Sequence, residues 1–416
     1  MRILYNLGIY LYYFGIFFYS FFNLKAKKWW VGRKNILQKC ENLFNKNENI
    51  AWFHSASLGE FEQGRPVIEK FKLQHPDFKI VLTFFSPSGY EVRKNYETAD
   101  YILYLPIDTP YNVRKFIEIV NPQIVFFIKY EFWFNYLKAL YDKKIPVYLI
   151  SGIFRPQQHF FKFYGGWFRK QLKHFSYFFV QSEASKELLH SIKIKNVTIS
   201  GDTRFDRVIA IAATRIAFPL IEKFKASNSI LLSGSSWEAD EAILIDFMKL
   251  KKTNLRYIIA PHEIHKERIQ QLQEKLPLTS LLFSQANEIN INEAKVLIID
   301  NIGILSNLYQ YATIALIGGG FGKGIHNILE AATFGTPILF GPNYHKFSEA
   351  IQLIALGGAF ECIDNHDFIT KANLLFDNMS LYEHAKEQCI NYVNMNKGAT
   401  EIILQHILLQ HTTELF

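Results

Sequence analysis

The sequence predicts an α/β chain of two doubly wound, Rossmann-like domains, preceded by an N-terminal membrane-anchor helix. Three observations predict it. Short apolar runs alternate with helical patterns from residue 49 onward, the alternation restarts near Ile230, and residues 3–24 carry no charge. At 416 residues the chain is too long for one ordinary core and suits two. An apolar fraction of 49% against 20% charged residues excludes wholesale disorder. The net charge of +8 fits an anionic partner. Cys40, Cys362 and Cys389 lie far apart with no CxxC spacing, which points to neither a disulfide framework nor a zinc site, and to a reducing compartment.

In the N-terminal helix, Leu4, Leu7, Leu11, Phe14, Phe18 and Phe21 recur at helical spacing. Tyr5, Gly8, Tyr12, Gly15, Tyr19 and Asn23 form a second, more polar stripe. The run is long enough to span a bilayer, but its two faces and its tyrosines favour a helix seated in the interface. Packing on the protein's own core is the other reading of the stripe. Lys25, Lys27, Lys28, Arg33 and Lys34 follow it and are expected to face anionic lipid on the cytoplasmic side. Only Arg2 precedes the run and no small-x-small site follows, which disfavours a cleaved signal.

The first series of candidate strands is Ile50–Phe53, Lys79–Phe84, Tyr101–Leu105, Ile124–Ile128, Val147–Ile150 and Tyr177–Val180, with helical patterns such as Val113–Val120 and Ser182–Ile192 between. The second is Ile230–Ser233, Tyr257–Ala260, Val296–Ile299, Ile314–Ile317 and Pro337–Phe340. Such alternation is the signature of βαβ units on a parallel sheet. Arg207 to Asn228 is the candidate linker, and Leu381 to Phe416 reads as two helices. The predicted division is 1–35 for the anchor, 36–210 and 211–380 for the two domains, and 381–416 for the C-terminal helices. Ligands bind beyond the carboxyl ends of such strands, so a cleft with donor on one domain and acceptor on the other is expected.

Several loops at strand ends carry candidate chemistry. In Phe53-His54-Ser55-Ala56-Ser57-Leu58-Gly59-Glu60, a strand runs into a small-residue loop and a helix, placing Glu60 near the first helical turn. A carboxylate there suits a general base, and an ordinary helix cap is the other reading. Ile317 to Glu330 holds five glycines, at 318, 319, 320, 322 and 324, then His326, Asn327 and Glu330 on an expected helix. Glycines let a backbone approach a ligand, and a helix N-terminus attracts phosphate. Ser235 and Ser236 are expected to cap a helix or hold phosphate, and Pro261 with His262 to form a pocket wall beside them. Glu131, in Lys129-Tyr130-Glu131-Phe132-Trp133-Phe134-Asn135, is expected near Glu60. The stretch from Phe154 to Phe175 interleaves aromatics with Arg155, Lys162, Arg169, Lys170 and Lys173, which suits a lipid interface, nucleic-acid stacking or a packed helix. No DxD element follows a strand and no HExxH occurs, so metal-independent chemistry is expected.

These motifs, in order, resemble the bacterial 3-deoxy-D-manno-oct-2-ulosonic acid (Kdo) transferases. The matching stretches are His54–Glu60, Tyr104–Asp108, Glu131–Asn135, Gly201–Asp206, Gly234–Ser236, Pro261-His262, Gly318–Glu330 and Gly341–Asn343. The resemblance implies a glycosyltransferase B-type fold, CMP-Kdo as donor, a lipid A precursor (lipid IVA) as acceptor and an inverting displacement in lipopolysaccharide core synthesis at the inner membrane. It implies Glu60 as catalytic base. Ser57, Gly59, Glu131, Arg155 and Arg204 are expected on the acceptor side. Ser235, Ser236, Pro261, His262, Gly319, Gly320, Gly322, Gly324, His326, Asn327 and Glu330 are expected on the donor side. No metal, cofactor or nucleic-acid partner is expected. The chain departs from the family at Lys129, where an acid is usual, and at Pro261-His262-Glu263, where Pro-Arg-His is usual. The alternatives are another B-type nucleotide-sugar transferase, a nucleotide-sugar 2-epimerase, and a membrane-associated nucleotide-binding module.

Overall fold

The computed structural model describes residues 1–416 except 46, 251–253 and 412–416, and only the backbone of His411. Its strands are near-continuous apolar runs, which is what a parallel sheet covered on both faces requires. Two seven-stranded sheets result, every pairing parallel. The first holds β1 (Ile50–Ser55), β2 (Lys79–Phe84), β3 (Tyr101–Tyr104), β4 (Ile124–Ile128), β5 (Val147–Gly152), β6 (Tyr177–Val180) and β7 (Val197–Ile199), in the order β3-β2-β1-β4-β5-β6-β7. The second holds β8 (Ser229–Ser236), β9 (Leu255–Pro261), β10 (Ser280–Leu282), β11 (Val296–Ile298), β12 (Ile314–Ile317), β13 (Ile338–Phe340) and β14 (Ala359–Glu361), in the order β10-β11-β9-β8-β12-β13-β14. The α/β reading stands, and three strands go beyond it. β7, β10 and β14 are edge strands of three residues each, too short to leave a periodic signal.

The chain divides into two compact units, one of Met1–Arg207 with the segment from Lys397 on, the other Val208–Asn396. In the first unit, successive residues of each strand serve opposite faces. Trp52 and Phe127 join one core layer, Phe53 and Phe126 the other, the latter two stacked at 4.4 Å. The helix Ala399–His411 completes that second layer through Ile403, Leu404 and Ile407. Its start is held by Asp206, whose carboxylate accepts from the N–H groups of Gly398 (2.6 Å) and Thr400 (2.7 Å). Of the two C-terminal helices, Met379–Met395 belongs to the other unit.

The N-terminal helix α1 (Arg2–Tyr19) lies on the first unit along Tyr5, Asn6, Ile9, Tyr13, Ile16 and Phe17, whereas Gly8, Tyr12, Gly15 and Tyr19 of the expected polar stripe are exposed. Tyr5 donates to Asp108 (2.6 Å), Asn135 donates to Asn6 (2.9 Å), and Tyr12 packs edge-on against Trp29 of α2 (Leu24–Gly32). The apolar stripe Leu4, Leu7, Leu11, Phe14, Phe18, Phe21 stays exposed. Among the described residues no helix is long and apolar enough to cross a membrane.

Asp108 also accepts from the N–H groups of Asn135 (3.1 Å) and Tyr136 (3.0 Å). Burial nonetheless pushes its carboxyl up to about 7. A carboxyl whose folded value lies above its unfolded one binds its proton first in the folded state. Its contribution to stability is therefore full below about pH 4 and is lost as pH rises toward about 7. Asp108→Asn should flatten the dependence of Tm on pH in that window. Thermal melts across it provide the check, and an unchanged slope would assign the titration elsewhere.

Candidate functional site

Each sheet reverses its strand order once, between β1 and β4 in the first and between β8 and β12 in the second. Loops diverge at such a point and leave a crevice beyond the carboxyl ends of the strands.

At the first crevice, β1 ends at Ser55, and α3 (Leu58–Gln74) starts after the extended Ser57. Glu60 sits in the first turn, half-buried, and its carboxylate accepts the Ser57 hydroxyl. Ser57 caps no backbone N–H with its side chain, so Glu60 and Ser57 pair with each other rather than closing the helix end. Gly59 is exposed, and a Cβ added there would meet only Ser57 Oγ, at 3.9 Å, so space stands open beside Glu60.

The neighbouring strand β4 turns out through Lys129 in a left-handed conformation (φ 70°). This turn presents Tyr130 between two cations, with Lys129 Nζ 5.3 Å and Arg155 Cζ 5.8 Å from its ring centroid. Burial raises the Tyr130 phenol, Arg155 pulls it down and Glu60 pushes it up, which sets Glu60, Tyr130 and Arg155 in one electrostatic neighbourhood. Arg204 opens the helix Arg204–Thr214, and the hydroxyl of the preceding Thr203 donates to the Gln63 carbonyl, one turn beyond Glu60. Its guanidinium is paired with Asp202 (2.7 Å).

Glu131 lies beneath this surface, 5% exposed. One of its oxygens meets His54 Nε2 (2.9 Å) and accepts the Trp133 indole N–H (2.5 Å), while His54 Nδ1 meets Thr83 Oγ1 (2.8 Å). This buried chain ties β1, β2 and the loop after β4 together. Sequence reading missed His54 and Trp133, although both stand in the motifs it quoted. The segment from Phe154 to Phe175 is mostly packed. Phe132 packs on the buried Phe160 at 4.9 Å, Trp167 packs 6.0 Å from Tyr5 of α1, and Phe163 and Tyr164 form an exposed tip, with Arg155, Lys170 and Lys173 also exposed.

At the second crevice, two expectations need correction. Ser235 and Ser236 do not cap the following helix, Glu238–Met248. Ser236 is buried and donates to Glu241 (2.9 Å), and the strand runs through both serines, with Ser235 in a left-handed conformation. Capping falls to Asp240, whose carboxylate accepts from the N–H groups of Trp237 (2.9 Å) and Gly319 (2.8 Å). The helix expected at His326 begins only at Leu329 and spans four residues, Leu329–Ala332. His326, Asn327 and Glu330 therefore do not share a helical face. Asn327 instead folds locally, accepting from Leu329 N–H and donating to Glu330 (3.1 Å).

Part of the glycine requirement is internal. A Cβ on Gly320 would overlap the backbone of Gly341, and one on Gly341 would overlap Gly320. Asn343 donates to Gly322 O (2.8 Å) and fixes the loop from the same side. Gly322 is exposed, while Gly319 and Gly324 take positive φ values. Pro261 ends β9, and beyond it the exposed His262 ring stacks on Trp237 (4.5 Å) and on His326 (4.6 Å). Trp237 Nε1 donates to His326 Nε2 (3.1 Å). Burial, then the neighbouring His262, lowers His326 to about 4. Among the described residues no group of three His, Cys, Asp or Glu is placed to hold a metal ion.

A family model described as 3-deoxy-D-manno-octulosonic-acid transferase (kdotransferase) matches residues 30–207. The chain is 28% identical over 330 residues to the 3-deoxy-D-manno-octulosonic acid transferase of Aquifex aeolicus, covering 77% of this chain and 84% of that one. It is 25% identical over 370 residues to the enzyme of the same name from Rickettsia bellii, covering 87% and 88%. Its fold is similar to that of a UDP-GlcNAc 2-epimerase from Neisseria meningitidis, with a TM-score of 0.60 at 19% identity, covering 87% of this chain and 99% of that one.

Proposed function

We propose, from the premise that this chain belongs to the family of 3-deoxy-D-manno-octulosonic acid (Kdo) transferases, that it moves Kdo from CMP-Kdo to a lipid A precursor. It is a glycosyltransferase of the B-type fold. The observation that carries the substrate reading is Glu60, paired among the described residues with a serine hydroxyl alone, beside open space at the β1–β4 crevice. In this reading the first unit binds the acceptor and the second the donor. Glu60 takes the proton of an acceptor sugar hydroxyl, whose oxygen attacks the anomeric carbon of Kdo with inversion while CMP departs. Arg155 and Arg204 offer charge to acceptor phosphates or the Kdo carboxylate, and protein groups rather than a metal receive the leaving phosphate.

Incubation with CMP-Kdo and lipid IVA, followed by mass analysis, tests this. The expected product is the lipid plus Kdo, with equimolar CMP and an inverted anomeric centre. Binding of a different nucleotide with no transfer, or epimerisation of UDP-GlcNAc, would replace the reading.

The exposed stripe of α1 supports a seat in the interface on the cytoplasmic face of the inner membrane, with Lys25, Lys27 and Lys28 exposed beside it on α2. Replacing Leu7, Phe14 and Phe18 together with serine should weaken binding to anionic vesicles by at least about tenfold, since each side chain forfeits roughly 1.5–3 kcal/mol of burial. Vesicle co-sedimentation reads this directly, and unchanged partition would move the membrane contact elsewhere.

A further inference from the structure

The rings of Trp237, His262 and His326 come from three loops and form one continuous stack at the carboxyl ends of the second sheet. No arginine or lysine is hydrogen-bonded or paired to any of the three among the described residues. We propose that His262 and His326 are the phosphate receptor of the donor subsite, and that a nucleotide binds there with net uptake of one proton from solvent. The proposal rests on the donor reading above and adds to it the residues and the proton that meet the phosphate.

The geometry supplies the reason. His326 Nε2 accepts the Trp237 indole N–H, so the neutral ring carries its proton on Nδ1. A charged imidazole has N–H at both nitrogens and accepts from neither side. Charging His326 therefore breaks the Trp237 bond and frees an indole already 39% exposed. The free protein holds His326 neutral through burial and the ring stacked on it. A phosphate brought against the pair reverses the balance, because opposite charge favours the protonated ring and strengthens its hydrogen bonds.

The other charged groups of the surrounding elements are engaged or turned outward. Asp240 accepts from Trp237 and Gly319 N–H groups, and Glu241 is bridged to Arg268. Glu263 pairs with His265 (3.6 Å), Glu330 accepts from Asn327, Glu238 is exposed at the start of the helix after Trp237, and Lys323 is exposed in the glycine loop. The sign follows. His326 lies depressed in the free protein and rises in the complex, so affinity falls as pH climbs through the value in the complex and levels off below about 4.

Titration calorimetry of the full chain with cytidine, CMP and the methyl ester of CMP, in buffers of low and high ionisation enthalpy near neutrality, counts the protons. The methyl ester carries one charge that does not titrate there, so its uptake reports the protein alone. We expect uptake approaching one proton per CMP or ester bound, none with cytidine, and a fluorescence change on binding that is absent in Trp237→Phe. His326→Gln should abolish the uptake and weaken the ester about tenfold to a hundredfold, the range of a hydrogen bond to a charged group. Ester binding without proton uptake would overturn the proposal and leave the donor reading intact. Failure of all three cytidine ligands to bind, with another nucleotide binding instead, would overturn both. The wild-type proton count decides even where a histidine variant fails to fold.

Discussion

Glu60→Gln is expected to leave a folded chain that binds CMP normally and turns over two to four orders of magnitude more slowly, the range of general base catalysis. The amide keeps the shape and can still meet the Ser57 hydroxyl, so α3 should lose little. What it loses is the capacity to take a proton. Two features make this the largest kinetic effect in the molecule. Glu60 stands over open space, whereas the other carboxylate of that crevice, Glu131, is buried and already holds His54 and Trp133. The groups flanking Tyr130 are Lys129 and Arg155, so that side of the crevice adds no second carboxylate. Initial rates with saturating CMP-Kdo, beside a thermal melt and a CMP titration, provide the check. Near-normal turnover would remove Glu60 from the base role, and a collapsed melt would return it to an ordinary helix cap.

The largest loss of stability is expected at Arg33. Its guanidinium donates to the carbonyls of Leu105 (2.9 Å), Trp29 (3.1 Å) and Phe85 (2.6 Å). It also sits against the faces of Trp29 (4.0 Å), Phe85 (4.9 Å) and Tyr104 (4.9 Å). No carboxylate pairs with it among the described residues. Burial draws it down to about 9, which leaves it charged at neutral pH. Arg33→Ala strands two buried carbonyls and a partly buried third and removes the cation from an aromatic box, at a cost of roughly 3–5 kcal/mol. Arg33→Lys should recover little, because an ammonium cannot reproduce the planar fork that reaches three carbonyls at once. Urea midpoints at constant m measure both variants. A loss below about 1 kcal/mol for the alanine variant would mean that the surrounding rings close the gap.

Much of this was legible before any coordinates. Apolar runs at Lys79–Phe84, Ile124–Ile128, Tyr177–Val180 and Ile314–Ile317 begin and end where their strands do, because a strand buried on both faces must be apolar throughout. Glu60 is on the first turn of α3 because the small-residue loop after β1 leaves the next apolar-periodic segment only one place to start. The exposed stripe of α1 was equally visible, since helical spacing alone assigns its residues to one face.

Tertiary structure decided which of these residues act on one another. Tyr5 meets Asp108 across 103 positions, and Trp237 meets His326 across 89. Local periodicity reports which way a side chain points from its own element, not which distant element stands opposite. For that reason Glu131 read as an exposed site residue and proved to be part of a buried strut with His54, which the sequence did not single out. Gly320 read as a ligand approach and is also required by the backbone of Gly341. The helix expected at His326 gave way to irregular chain because that segment is held by Gly318 and stacked on His262, partners supplied only by the fold. The sequence by itself determined the sheets, the carboxyl ends that carry the chemistry and the apolar face of α1. Packing decided which polar groups are used up inside the protein and which are left for a ligand.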